Sequence, residues 1–344
     1  MRRRGPAASD EDGATREQAG ETDRPGQRHQ PILAQCDDAS VLRTWLTDRF
    51  DLSVPVVSAP MAGVSGGALA AAVSTAGGLG MVGIGYDEPA FVAAEAEVAR
   101  ASGRPFGIGL IAWVADGRPA LVEAAIEARP ALLSSSFGPY VDHVDAAKRA
   151  GIVVATQAGT VDDARRAVDA GVDLVVARGS EGGGHGRGEV ATLPLLQAVL
   201  DAVDVPVLAA GGIAGPRGLA AVLAAGAAGA LVGTAFLACT EGQNSAAARA
   251  AIVNAGETDT IYTTVLDVGR GIPWPPEFGG RALRNAFAER WHGREAELRQ
   301  AGAKADEAVI WAGEAVGLVR EERSAADVVA ELAGAEDLLR RFGG

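Results

Sequence analysis

The chain has 344 residues, of which 48% are hydrophobic and 5% aromatic, and its net charge is −13. This length is sufficient for one large domain, and the low aromatic content leaves the core packing to small aliphatic side chains. The negative charge argues against nucleic acid or an anionic membrane as a partner, because both bind clusters of lysine and arginine. An anionic cofactor is still compatible, since backbone N–H groups bind anions without adding charge.

Residues 1–35 are predicted to form a disordered tail, because this segment is polar, charged and rich in glycine and proline. Its first arginines resemble the start of a secretion signal, but no apolar segment follows them. The two cysteines, Cys36 and Cys239, lack the spacing of a metal site or a disulfide framework, which favours a reducing cytoplasm. No apolar run has the length of a membrane span.

From residue 40 onward the sequence predicts one helix and then eight strand–helix units. The predicted strands are 54–60, 79–85, 105–113, 131–137, 152–159, 173–179, 205–212 and 228–237. The predicted helices are 40–50, 65–78, 87–102, 117–129, 139–150, 161–171, 192–203 and 216–226. Several strands are apolar at consecutive positions, which is typical of parallel strands covered on both faces. Eight units favour a closed (β/α)8 TIM barrel over a doubly wound sheet.

The barrel is predicted to occupy residues 36–242, and residues 243–344 are predicted to form a helical appendage that completes the site. Helices are expected at 243–255, 284–302, 304–318 and 324–342, with an irregular segment at 258–281. A long irregular segment of this kind is typical of an active-site lid or of a small lobe over the barrel mouth.

Two glycine-containing turns follow the seventh and eighth predicted strands. Gly211-Gly212 stands directly before a helix, and Gly233-Thr234 occupies the equivalent position one unit later. Glycine allows a phosphate to approach backbone N–H groups closely, and Thr234 adds a hydroxyl donor. Because barrels bind phosphate after strands seven and eight, the two turns together favour a phosphate site over simple loop capping.

The sixth predicted strand leads into a glycine-rich segment, residues 179–188, which contains His185. A histidine at this end of a barrel titrates near neutral pH and is a candidate general base. Glu181 could orient His185 or pair with Arg178, and the sequence leaves both options open. The remaining histidines lie in the tail or on predicted helices: His29, His143 and His292. No spacing of His, Asp or Glu indicates a metal site.

Several segments together resemble the nitronate monooxygenases, formerly called 2-nitropropane dioxygenases. These segments are APMAG (59–63), AAVSTAGGLG (71–80), GSEGGGHGRG (179–188), residues 206–237, GGRALRN (279–285) and WAGEAVGLV (311–319). The resemblance extends from about residue 50 to the end of the sequence. The two phosphate turns are shared with other FMN barrels, whereas their combination with the GGH segment is more specific.

The resemblance implies a non-covalently bound FMN, with its ring over the segment that ends strand one and its phosphate on the glycine turns. The expected cofactor-binding residues are Ala59, Pro60, Met61, Arg178, Gly183, Gly184, Gly211, Gly212, Gly233 and Thr234. His185 is the expected catalytic residue, because it would remove the α-proton of a neutral nitroalkane.

The implied reaction is the oxidation of an alkyl nitronate with O2 to a carbonyl compound and nitrite, without NAD(P)H. FMN would take one electron from the nitronate and pass it to O2. Three alternatives remain at this point: an NAD(P)H-dependent enoyl reductase with the same cofactor, a flavin-free lyase or isomerase of a phosphorylated metabolite, and a flavin-binding barrel with a degenerate substrate site. The sequence specifies neither the physiological substrate nor the oligomeric state.

Some positions depart from the family pattern. The family usually has Asn at Gly109, His or Thr at Ser136, Gln at Arg178, Ala at Gly182 and Arg at Ala235. The phosphate contacts use mainly the backbone and are expected to persist, whereas the contacts to the flavin ring and substrate are expected to differ. A guanidinium in place of a neutral amide predicts a charge near the flavin that favours its anionic reduced form.

Overall fold

A computed structural model of the chain describes residues 42–305 and 308–341. Eight parallel strands form its main sheet: β1 (Val56–Ser58), β2 (Gly80–Ile84), β3 (Phe106–Ile111), β4 (Leu132–Ser136), β5 (Val153–Ala158), β6 (Leu174–Arg178), β8 (Val207–Ala210) and β9 (Gly229–Val232). The strands follow the order β1-β9-β8-β6-β5-β4-β3-β2, and Val57 pairs with Leu79 to close the ring between β1 and β2. The predicted TIM barrel is therefore confirmed. The predicted tail at residues 1–35 lies outside the described residues.

Helices surround the barrel and alternate with its strands. They are α2 (Gly67–Thr75), α3 (Pro89–Arg100), α5 (Pro119–Glu127), α6 (Val141–Arg149), α7 (Val161–Asp169), α8 (Thr192–Leu200) and α9 (Pro216–Ala224), with a short α4 (Ala112–Ala115) after β3. Neighbouring strand residues face opposite sides: Val57 and Met81 belong to the interior cluster, whereas Val56 and Val82 pack in the cluster beneath the helices. Both faces are buried, which explains the uninterrupted apolar runs in the sequence.

The first helix, α1 (Trp45–Phe50), covers the end of the barrel at which the strands begin. Its Leu46 and Phe50 join the interior cluster, and the Thr44 hydroxyl donates to the Ala228 carbonyl just before β9. The opposite end, where the strands finish, is the one available for a site, as in other barrels.

A second, antiparallel sheet lies over that opposite end. It joins β7 (Gly184–His185), β10 (Thr260–Thr263) and β11 (Gly280–Leu283), and α11 (Val265–Arg270) lies between the last two strands. The expectation that 258–281 is irregular is therefore wrong for Thr260–Thr263 and Val265–Arg270, and it is confirmed for 271–279. Strands this short have no measurable local periodicity, and they form here because they pair with residues distant in the sequence.

The remaining helices are α10 (Ala246–Asn254), α12 (Ala286–Trp291), α13 (Glu295–Ala301), α14 (Ala325–Ala333) and α15 (Ala335–Arg340). The predicted helix at 284–302 is divided in two at Gly293, which has a φ of +75°. The predicted helix at 304–318 is wrong, because 308–313 is irregular and only Glu314–Leu318 forms a 3-10 helix. No helix among the described residues is long and apolar enough to cross a membrane. The boundary between 36–242 and 243–344 stays a prediction.

Candidate active site

The predicted phosphate turns and the glycine-rich segment are in contact at the barrel mouth. Gly211 and Gly212 have φ angles of +107° and +73°, a backbone conformation that favours glycine. A β-carbon added to Gly211 would lie 3.0 Å from the Gly182 nitrogen, so this turn packs directly on the glycine-rich segment. On the other side, a β-carbon on Gly183 would lie 2.5 Å from the Gly313 nitrogen. The Gly313 N–H in turn donates to Thr234 Oγ1 over 3.0 Å.

These turns present unpaired backbone donors. The N–H groups of Gly183, Gly212, Gly233 and Thr234 donate to no acceptor among the described residues. Thr234 is buried and Gly183 and Gly233 are half-buried, whereas Gly212 is exposed. Backbone donors away from solvent are almost always paired, and several free ones on adjacent glycine turns are the chemistry that a phosphate requires. Gly212 also borders a cavity of about 460 Å³ that the start of α9 lines. The residues present therefore fit the phosphate of FMN.

The segment that ends strand one lies next to these turns. A β-carbon on Gly233 would lie 3.3 Å from the Ala59 side chain and 3.6 Å from the Met61 sulfur. Pro60 rests directly on Gly109, where a β-carbon would lie 2.3 Å from the proline ring. The glycine at 109, where the family usually has asparagine, is explained by this contact because a larger side chain would displace Pro60.

His185 is fixed in the second sheet and not in a free loop. It lies on β7, which pairs with β11, and its Nε2 lies 2.9 Å from Asp267 Oδ2. The imidazole stacks on Trp274, with ring centroids 3.5 Å apart and an angle of 5° between the ring planes. The ring centroid of Trp311 lies 4.5 Å from that of the imidazole. Strand pairing, a carboxylate and two indoles therefore hold its orientation.

The surroundings of His185 keep its imidazole neutral at neutral pH. Burial lowers the pKa of His185, and the hydrogen bond and charge of Asp267 raise it by less. Because a carboxylate only accepts, neutral His185 donates its Nε2–H to Asp267 and keeps Nδ1 as the free acceptor. The side chains of His185 and Asp267 are only 10% and 5% exposed. The geometry thus supplies an oriented general base.

Sequence reasoning missed Asp267. It lies on α11, within the segment expected to be irregular, and 82 residues separate it from His185. Its second oxygen, Oδ1, is buried and has no hydrogen-bond partner among the described residues. Nothing in the local sequence distinguishes Asp267 from other acidic residues, so only the tertiary contact identifies it.

Replacing Asp267 with asparagine is expected to lower the pKa of His185 further, because the carboxylate now raises it. NMR titration of the His185 ring, assigned with a His185→Asn sample, measures this directly. Glu181→Gln is the matched control, since the Glu181 carboxylate accepts from the Thr192 N–H and not from His185. An unchanged midpoint in Asp267→Asn would show that Asp267 does not control the imidazole.

Glu181 takes neither of the roles left open by the sequence. Its carboxylate caps the first N–H of α8, at Thr192, over 3.0 Å. A β-carbon on Gly212 would lie 3.5 Å from the same carboxylate, so Glu181 supports the packing between the glycine-rich segment and the Gly211-Gly212 turn.

Arg178 is a buried cation at the end of β6. It is 4% exposed, and its guanidinium donates to backbone carbonyls of the glycine-rich segment. Burial lowers the pKa of Arg178 to about 10, which still leaves it charged at neutral pH. The predicted effect of this charge on the reduced flavin stays a prediction.

The other departures from the family pattern are buried beside the mouth. Ser136 Oγ accepts from the Gln157 N–H over 3.0 Å and so links β4 to β5. Ala235 is 2% exposed in the turn after Thr234 and belongs to the main core.

His143 hydrogen-bonds to the Ser135 hydroxyl over 2.9 Å on the outer side of β4, in a structural role.

Aromatic side chains enclose the mouth around His185. Trp274 makes edge contacts at 5.5 Å with Trp113 and Phe137, and Phe137 contacts Phe278 at the same distance. Phe137 has a φ of +70°, an uncommon conformation for a bulky residue that is typical of functional sites. Beside this group opens a cavity of about 270 Å³, lined on one side by Arg187 and Phe278.

A closed barrel whose mouth holds a buried candidate base next to free backbone donors has the layout of an enzyme active site. The family model described as nitronate monooxygenase matches residues 43–125 and 117–334. The chain therefore belongs to the nitronate monooxygenase family, and it is an oxidoreductase.

Individual relatives cover more than one activity. The chain is 37% identical over 273 residues to the (3aS,4S,5R,7aS)-5-hydroxy-7a-methyl-1-oxo-octahydro-1H-indene-4-carboxyl-CoA dehydrogenase of Mycobacterium tuberculosis, covering 76% of this chain and 73% of that protein. It is similar in structure to FabK from Thermotoga maritima, with a TM-score of 0.78, 30% identity, and 87% and 98% of the two chains covered. The nitroalkane oxidase of Streptomyces ansochromogenes has a TM-score of 0.74, 31% identity, and coverage of 86% and 99%.

Proposed function

We propose that the protein oxidises alkyl nitronates, with FMN as cofactor and O2 as co-substrate, to a carbonyl compound and nitrite. The observation that carries the proposal is the His185–Asp267 pair, 2.9 Å apart and buried at the barrel mouth. A neutral, oriented imidazole suits the removal of the acidic α-proton of a nitroalkane, which produces the nitronate. Membership of the nitronate monooxygenase family and the likeness to a nitroalkane oxidase support the same reaction.

In this proposal, side chains at the barrel mouth carry out one proton transfer and hold the proton acceptor in place. His185 Nδ1 accepts the α-proton, and Asp267 stabilises the imidazolium that forms. Trp274 and Trp311 cover the imidazole and limit the access of water. FMN, when bound, supplies the one-electron chemistry between the nitronate and O2.

FMN would be held by two groups of residues. The free N–H groups of Gly183, Gly212, Gly233 and Thr234 would receive the phosphate, with Gly184 and Gly211 completing the turns. The segment Ala59, Pro60 and Met61 would support the ring. Arg178 would contribute through its hydrogen bonds to the carbonyls of the glycine-rich segment.

Oxygen consumption tests the proposed reaction. Purified protein containing FMN, supplied with ethylnitronate or propionate-3-nitronate and no NAD(P)H, is expected to consume O2 and release nitrite. Flavin that is reduced only by NAD(P)H, without nitronate-dependent O2 uptake, would replace this proposal with the reductase alternative. Protein that is colourless and fails to take up added FMN would rule out both.

A second candidate function is an oxidoreductase that acts on a larger α-acidic substrate, such as an acyl thioester. The observation in its favour is a cavity of about 270 Å³ that is lined in part by Gly186 and Arg187, which follow His185 in the sequence. The relative at 37% identity is named a CoA-ester dehydrogenase, which supports this class. Anaerobic bleaching of the flavin by an acyl thioester, but not by ethylnitronate, would favour the second candidate.

A further inference from the structure

We propose that Arg178 is a positioning residue that strengthens anion binding by the glycine-rich segment, and that the glycine at 182 is what makes room for it. The proposal rests on FMN being the cofactor. It explains two departures from the family pattern, Arg178 and Gly182, as one coupled pair of residues.

The guanidinium of Arg178 donates hydrogen bonds to several backbone carbonyls of the glycine-rich segment. Nη2 donates to the carbonyl oxygens of Gly182, Gly183 and Gly184 over 2.6, 3.2 and 2.9 Å. Nη1 donates to the carbonyl of Arg187 over 3.1 Å. Three consecutive carbonyls therefore point at a single cation.

This cation has no counter-ion in the part of the chain that the structure describes. None of the ion pairs among residues 42–305 and 308–341 includes Arg178, although its side chain is almost fully buried. A buried charge without an opposite charge is costly even when it is hydrogen-bonded. A bound anion nearby would therefore be attracted to this position and would offset the cost.

The charge of Arg178 affects the candidate phosphate site by polarising a peptide unit that lies between them. The carbonyl of Gly182 belongs to the same peptide unit as the N–H of Gly183, and in a trans peptide the two groups point in opposite directions. That N–H is one of the free donors at the candidate phosphate site. Because its carbonyl faces a cation, the peptide unit is polarised and its N–H becomes a stronger donor to an anion.

The space for the guanidinium is created by glycine. A β-carbon on Gly182 would lie 3.0 Å from Arg178 Nε and 3.2 Å from Cζ, and one on Gly186 would lie 2.4 Å from Nη1. A β-carbon at 182 would therefore crowd the guanidinium and press it away from the carbonyls that it binds. Alanine at 182, the usual family residue, is therefore compatible with a smaller neutral side chain at 178 and unfavourable beside arginine.

The test compares FMN with riboflavin, which has the same ring but no phosphate. Dissociation constants are measured by flavin fluorescence on apoprotein of the wild type, Arg178→Gln, Gly182→Ala, the double variant Arg178→Gln/Gly182→Ala and Arg178→Lys. The double variant is expected to bind FMN about tenfold more weakly and riboflavin nearly as before, a loss typical of one charge-assisted interaction. Arg178→Lys, which keeps the charge, is expected to keep more of the preference for FMN.

Three outcomes would overturn the proposal. Equal weakening for FMN and riboflavin would mean that Arg178 only maintains the loop, and equal losses in Arg178→Lys and Arg178→Gln would mean that its charge is irrelevant. A Gly182→Ala change that weakens FMN binding equally in the wild type and in the Arg178→Gln variant would refute the coupling of the two positions. Wild-type protein that binds FMN but oxidises no nitronate would remove the proposed reaction and leave this inference standing.

If the double variant does not fold, Gly182→Ala alone decides, because its β-carbon crowds the guanidinium without changing the charge of the chain. It is expected to reduce the ratio of FMN affinity to riboflavin affinity. A folded Gly182→Ala protein with an unchanged ratio would overturn the proposal.

Discussion

Replacing His185 with asparagine is expected to reduce turnover of a neutral nitroalkane by about 10²- to 10⁴-fold, the range typical for loss of a general base. Turnover of the preformed nitronate is expected to change only a few-fold, because that substrate has already lost its α-proton. Asparagine retains polarity near Asp267 but has no nitrogen that accepts a proton at neutral pH. Initial rates of O2 uptake with nitroethane and with ethylnitronate measure the two effects.

The pH profile of the wild type provides an independent readout. The reaction with a neutral nitroalkane needs unprotonated His185, and burial places the pKa of His185 below its ordinary value of 6.5. Activity is therefore expected to persist as the pH falls to about 6.5 and to be lost only at lower pH, as the pH passes through the lowered pKa. The rate with preformed nitronate should lack this acid limb.

His292→Asn is a suitable control, since that residue lies at the end of α12 and is exposed. It should leave both substrates and the pH profile unchanged. Equal losses on nitroethane and ethylnitronate in His185→Asn would mean that His185 does not act mainly as a proton acceptor.

Replacing Gly183 with alanine is expected to weaken FMN binding by at least about 100-fold, a loss of about 2.7 kcal/mol. The added carbon would lie 2.5 Å from the Gly313 nitrogen and 2.7 Å from the Ala312 carbonyl carbon, and both neighbours are backbone. The chain must shift at the point where Gly313 donates to Thr234, which separates the free N–H groups of the phosphate site. Fluorescence titration of the apoprotein with FMN measures the loss.

Gly103→Ala, in the turn before β3 at the opposite end of the barrel, is the control. A β-carbon there meets nothing within 4 Å, although its φ of +67° makes alanine unfavourable by about 1–2 kcal/mol. A thermal denaturation of both apoproteins separates loss of stability from loss of binding. If Gly183→Ala binds FMN as well as Gly103→Ala does, the phosphate does not lie at this contact.

Local features of the sequence are enough to predict the barrel and the end of it that carries the candidate site. Consecutive apolar residues in the strands, such as Val56 with Val57, indicate burial on both faces, and eight alternations of such strands with helices favour a barrel over a doubly wound sheet. The glycine turns were predictable for the same local reason, since Gly211 and Gly212 adopt positive φ angles. His185 could be selected because the end of a barrel strand is where catalytic side chains lie.

The contacts between these parts are visible only in the folded chain. Asp267, on α11, meets His185 across 82 residues, and the strand that holds His185 forms because β7 pairs with β11, a contact that no local pattern encodes. The expected helix at 304–318 fails for a related reason. Gly313 must reach Thr234 and the glycine-rich segment, so tertiary hydrogen bonds replace helical ones. Side-chain partners such as the carbonyls around Arg178 depend on the folded path of the chain, which residue type and spacing do not specify.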